Sequence, residues 1–125
     1  MPNMLLKDFY TVLHSKQVEG GFITEIRINK DHRLYQGHFP ARPVTPGVVL
    51  MQLFKEEAER QFNCALELQT ASNIKFMAVV DPNHGENFIL QSNIEKENEF
   101  LKLKGIALHN GYTALKINSI YKILP

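Results

Sequence analysis

The stretch Pro46-Gly47-Val48-Val49-Leu50-Met51-Gln52-Leu53-Phe54-Lys55-Glu56-Glu57-Ala58-Glu59-Arg60-Gln61 decides the fold. Proline suits a first helical turn, where its missing N–H has no intrahelical partner to lose. The half from Val48 to Phe54 is apolar on nearly every side, which calls for burial all round. The half from Lys55 to Gln61 is almost entirely charged or polar. The reading is one helix from about Pro46 that starts inside the protein and ends outside it. Gln52 is the only polar residue between Val48 and Phe54, which points it at a polar pocket. Glu56 belongs either to that pocket or to the solvated Lys55–Arg60 run.

Outward from the helix, the chain turns to strands. Phe22 to Asn29 alternates, with Phe22, Thr24, Ile26 and Ile28 on one face. Leu66–Phe76, Phe88–Glu97, Phe100–His109 and Tyr112–Leu124 read as further strands. Glu97-Asn98-Glu99 marks one hairpin turn, and Asn110-Gly111 is a strong two-residue hairpin signal. Met4 to Leu13 places Leu5, Leu6, Phe9, Val12 and Leu13 at helical spacing and reads as a short amphipathic helix. A sheet wrapped around the apolar helix is the obvious way to hide it, so the fold class is α+β, over a single domain of residues 1–125.

The bulk numbers fit. The chain has 125 residues, 44% hydrophobic and 22% charged, which excludes a disordered chain. Fourteen Lys and Arg against thirteen Asp and Glu argue against nucleic acid as the main partner. Cys64 is the only cysteine, so no intrachain disulfide or paired-cysteine zinc site forms. The longest uncharged stretch, Pro43 to Phe54, falls short of the ~20 apolar residues of a membrane span. A reduced, cytoplasmic protein without a membrane span is the expectation.

Phosphate-binding, dinucleotide, zinc-protease, nucleophile-elbow and EF-hand motifs are absent, and the histidines lack metal-ligand spacing, so neither a metal nor another cofactor is expected. One loop stands out: Tyr35-Gln36-Gly37-His38-Phe39-Pro40-Ala41-Arg42-Pro43-Val44-Thr45-Pro46-Gly47-Val48. Its prolines restrict the backbone, it carries a titratable imidazole at His38, and it ends at a helix N-terminus. There the N–H groups of Gly47 and Val48 lack intrahelical acceptors and carry partial positive charge. A base beside such donors suits proton abstraction next to a carbonyl; the plain alternative is a rigid loop with an incidental histidine.

Gly37-His38-Phe39-Pro40, Arg42-Pro43-Val44 and Pro46-Gly47-Val48 closely resemble the signature of the 3-hydroxyacyl-acyl-carrier-protein dehydratases. Ile74-Lys75-Phe76 followed by Val79-Val80-Asp81-Pro82 resembles that family's Lys/Arg-Phe strand and proline turn. Lys104-Gly105-Ile106-Ala107-Leu108 resembles its penultimate strand. The resemblance implies a hot-dog fold, a curved antiparallel sheet around a long central helix, working as a homodimer or higher even oligomer. It implies removal of water from a 3-hydroxyacyl thioester on the phosphopantetheine arm of an acyl carrier protein, in fatty-acid or related lipid or polyketide biosynthesis.

Residue by residue, His38 matches the family's catalytic histidine, and Gly47 and Val48, with Phe39 and Pro46, match the oxyanion and substrate-binding end of the loop. The family's helix carboxylate falls on Gln52, and its usual glutamine, one turn on, falls on Glu56. The two residue types are exchanged, and an amide is not a carboxylic acid. The alternative reading is therefore a catalytically silent acyl-binding subunit paired with an active paralogue; a thioesterase is a third, which the Gly-His-Phe-Pro motif disfavours. Lys102 and Lys104, on one strand face, are either simply solvated or a contact for an acidic carrier protein.

Overall fold

The structure is a computed structural model, and it describes residues 8–32, 47–78, 80 and 87–125. Seven elements follow one another: β1 (Tyr10–Val18), β2 (Gly21–Ile28), α1 (Gly47–Phe62), β3 (Leu66–Phe76), β4 (Asn87–Glu97), β5 (Phe100–His109) and β6 (Tyr112–Ile123). The strands form one six-stranded sheet in the order β1-β2-β4-β5-β6-β3, with every neighbouring pair antiparallel. The expected α+β class holds.

Period-2 alternation selects the inner face. Leu101, Leu103 and Ala107 of β5 are buried, as are Phe88 and Leu90 of β4 and Leu115, Ile117 and Tyr121 of β6. They form one core with Leu50, Leu53, Phe54 and Ala58 of α1. Each large apolar side chain so buried contributes roughly 1.5–3 kcal/mol. The turns agree with the sequence. Asn110 and Gly111 adopt φ of 53° and 80°, as the Asn-Gly signal requires, and Asn98 turns the β4–β5 hairpin at φ 57°. The helix stops at Asn63, left-handed at φ 49°, where the Cys64 N–H donates back to the Glu59 carbonyl at 3.2 Å.

Two expectations are corrected. Within the described residues the Met4–Leu13 helix is not formed: Asp8 and Phe9 lie in a turn, and β1 starts at Tyr10 and pairs with β2. Its register shifts between Val12 and His14, leaving Leu13 as an extra residue. The bulge puts Val12, opposite Ile26, and Ser15, opposite Thr24, on the inner face three residues apart. Three-residue spacing in a bulged strand mimics a helix.

The burial of α1 is also not as expected. Val48 in the apolar half is 71% exposed, whereas Glu56, Glu57 and Glu59 in the charged half are buried. Each of those carboxylates meets a donor. Arg60 grips Glu57 with Nη2 at 2.7 Å and Nε at 3.1–3.2 Å. Glu59 Oε2 accepts the backbone N–H of Leu66 at 2.9 Å and ties the end of α1 to β3. Glu56 accepts from Gln52 and from Tyr10.

Candidate functional site

Gln52 and Glu56 lie one turn apart on α1, so their side chains share a face. Gln52 Nε2 donates to Glu56 Oε2 at 2.9 Å. A carboxylate only accepts, so the amide nitrogen faces it, and the carbonyl oxygen and second N–H of Gln52 are directed elsewhere. Glu56 itself is 0% exposed, which overturns the solvated-run reading. Its other oxygen, Oε1, accepts from Tyr10 Oη on β1 at 3.4 Å. Burial, then the carboxylates of Glu57 and Glu56, push the Tyr10 phenol far above its ordinary range, with Arg60 opposing. Tyr10 therefore stays protonated and acts as a donor.

Gln52 faces a cleft of about 280 Å³. Val48, Met51 and Lys55 of α1 form one side with it; Leu68 of β3 and Ile117 and Tyr121 of β6 form the other. Burial also raises the Tyr121 phenol. Four apolar residues and Tyr121 thus surround the Gln52 amide and the Lys55 side chain, and Glu56 accepts from that amide. An amide set among apolar side chains is able to orient a hydroxyl or carbonyl group.

The first turn of α1 borders the same cleft. A Cβ on Gly47 would run into the ring of Phe76 on β3, so the missing side chain admits that ring. His38, Phe39 and Pro46 lie outside the described residues, as do all of residues 33–46. Lys102 and Lys104 lie on the face of β5 opposite the buried Leu101 and Leu103, away from α1. Lys102 Nζ pairs with Glu97 at 2.9 Å, which lowers the Glu97 carboxyl below its usual range. A separate groove of about 620 Å³ contains both lysines. The described residues hold no cluster of three or more His, Cys, Asp or Glu suited to a metal, and no described helix is long and apolar enough to cross a membrane.

Tyr10 and Tyr121 were not among the candidates from sequence. Tyr121 carried a usable signal, since it alternates with Ile117 and Ile123 on a strand. Tyr10 carried none, because it sits 46 positions before Glu56 in a segment of apparent helical spacing.

A curved antiparallel sheet closed over one central helix, with a cleft beside the first half of that helix, defines the hot-dog class. A structure described as the dehydratase heterocomplex ApeI:P from Xenorhabdus doucetiae superposes with a TM-score of 0.69 at 18% identity, covering 92% of this chain and 97% of that one. A hypothetical thioesterase with coenzyme A from Streptococcus pneumoniae gives 0.65 at 10% identity, covering 95% and 96%. An uncharacterized protein from Erwinia carotovora subsp. atroseptica gives 0.59 at 19% identity, covering 92% and 93%. At these identities the likeness establishes the fold. Comparison with curated proteins gives no match.

The model of the ApeI-like family, described as ApeI dehydratase, matches residues 14–112, and the chain belongs to that family. This supports the dehydratase-like hot-dog family that the loop signature suggested, and does not single out the 3-hydroxyacyl-acyl-carrier-protein dehydratases within it.

Proposed function

We propose that this protein is a dehydratase subunit that removes water from a 3-hydroxyacyl thioester to leave the 2-enoyl thioester, the acyl group being carried on the phosphopantetheine arm of an acyl carrier protein. The observation that carries the reading is the 2.9 Å bond from Gln52 to buried Glu56 at the wall of the cleft. It keeps the amide and carboxylate of the dehydratase helix one turn apart with their places exchanged.

In this reading His38 takes the C2 proton, and the backbone N–H groups of Gly47 and Val48 stabilise the developing enolate oxygen. The C3–O bond breaks, and the imidazolium returns its proton to the leaving hydroxyl, giving water. Gln52 orients that hydroxyl by hydrogen bonding, Glu56 fixes Gln52, and Phe39 and Pro46 shape the entry. Lys102 and Lys104 would meet the carrier protein from the outer face. The expected setting is cytoplasmic lipid or polyketide assembly. Incubation with a 3-hydroxyacyl thioester tests the reading: enoyl product that disappears in His38→Ala supports it, and no product at high enzyme concentration rejects it.

A second reading is favoured by Gln52 standing where a carboxylic acid is expected, and by the heterocomplex among the structural neighbours. Here the chain binds the acyl group and an active paralogue performs the elimination. Turnover only after mixing with such a paralogue separates the two. Both readings fit a paired assembly, since Val48, Leu68, Phe76 and Met77 are exposed apolar residues at the β3 edge and the start of α1.

A further inference from the structure

We propose that Tyr10 is a positioning residue of this site: its hydroxyl, arriving from the edge strand, fixes Glu56, and Glu56 in turn fixes the amide of Gln52 at the cleft. The inference rests on the dehydratase reading for its effect on turnover, and on geometry alone for the relay. Tyr10 Oη donates to Glu56 Oε1 at 3.4 Å, and Gln52 Nε2 donates to Oε2 at 2.9 Å. The two oxygens of one buried carboxylate therefore take donors from different elements. With one donor removed, the carboxylate group turns more freely about its terminal torsion, and the amide loses a fixed acceptor.

The surroundings make Tyr10 a dependable donor. Its phenol stays protonated, and the adjacent Glu57 is already engaged by Arg60 at 2.7 Å. The strand that carries it is tied to α1 a second time, where Gln61 Nε2 donates to Ser15 Oγ at 2.8 Å. Ser15 Oγ also lies 3.2 Å from Thr24 Oγ1 of β2. Two polar bridges, each spanning 46 residues of sequence, thus seat β1 on the helix. A site held this way depends on small displacements, because misplacing a reacting group by about 1 Å can cost as much as 10²-fold in rate.

The test is Tyr10→Phe, which keeps the ring and removes the hydroxyl, compared with Glu56→Gln and the double variant. Two readouts are taken on the full chain: steady-state dehydration of a 3-hydroxyacyl thioester, and the side-chain amide ¹⁵N–¹H resonance of Gln52. Tyr10→Phe is expected to lower kcat by about tenfold or more with KM within about twofold, and to shift the Gln52 amide resonance. In the Glu56→Gln background Tyr10→Phe is expected to add little, because the relay is already broken. An unshifted Gln52 resonance, or a full additional loss in the double variant, overturns the relay. A resonance shifted in Tyr10→Phe, with a wild type that forms no enoyl product, upholds the relay and rejects the dehydratase reading instead.

Discussion

The ring of Phe54 presses against Gly105 so closely that a Cβ there would lie 2.7 Å from its edge. Phe54 is fully buried in the centre of α1, so the ring has nowhere to go. Gly47 faces a similar ring, Phe76, but that one is 58% exposed and is able to swing outward. Gly105→Ala should therefore destabilise the fold by about 1–3 kcal/mol through overpacking. Gly47→Ala should cost clearly less. Urea denaturation of both variants checks the ranking, and equal losses would mean that Phe76 is as confined as Phe54.

Stability should fall at alkaline pH for a reason tied to Tyr10 and Tyr121. Both phenols are raised in the folded state, chiefly by burial. An unfolded tyrosine releases its proton near pH ~10, while these hold theirs. Above that pH the unfolded state binds fewer protons, so stability falls as pH rises until the folded phenols also ionise. Below it, their contribution is complete. Tyr10→Phe should flatten the decline, as seen in melting temperatures measured between about pH 8 and 11.

How far the sequence revealed this fold depended on what a one-dimensional pattern is able to hold. Phe22–Asn29 was recognisable by alternation and forms β2 (Gly21–Ile28). The Asn110-Gly111 turn was equally plain, because only a few residue types accept two consecutive positive φ angles. Strand β1 was hidden because its bulge at Leu13 replaces a two-residue period with a three-residue one. The burial of Glu56, Glu57 and Glu59 was hidden because donors decide it. Leu66 and Tyr10 are two of those donors, supplied by other elements. For the site, the i,i+4 spacing exposed the Gln52–Glu56 pair, while no local pattern pointed to a tyrosine on β1. His38 was prominent in sequence and lies outside the described residues.

The β3 edge should be where chains meet. β3 is an end strand of the sheet, and Leu68, Phe76 and Met77 on or just beyond it are 44%, 58% and 54% exposed. Val48, 71% exposed at the start of α1, adds to this surface. Unpaired strand edges with apolar side chains are seldom left open to water. Sedimentation at micromolar concentration should show a dimer, and Leu68→Asp should shift it towards monomer. A wild-type monomer would overturn this assembly.

Replacing the amide of Gln52 by a carboxylate, Gln52→Glu, probes the exchanged pair most directly. In the wild type the amide donates to Glu56 at 2.9 Å. A second carboxylate there, both ionised, would place like charges in contact beside a buried group, which costs several kcal/mol at low effective dielectric. The pair should instead share one proton, and so present an acid at the edge of the cleft, with His38 as base in the proposed mechanism. Dehydration should then rise by at least about tenfold, within the range a positioned general acid provides. The shared proton also has a thermodynamic consequence. The folded pair holds it at a pH where the unfolded carboxyls have lost theirs, so the stability of Gln52→Glu should fall as pH rises from about 4 towards neutrality, relative to wild type. Faster turnover together with that pH-dependent loss would establish the acid. The stability loss without faster turnover would favour a chain that binds acyl groups and leaves the elimination to a partner.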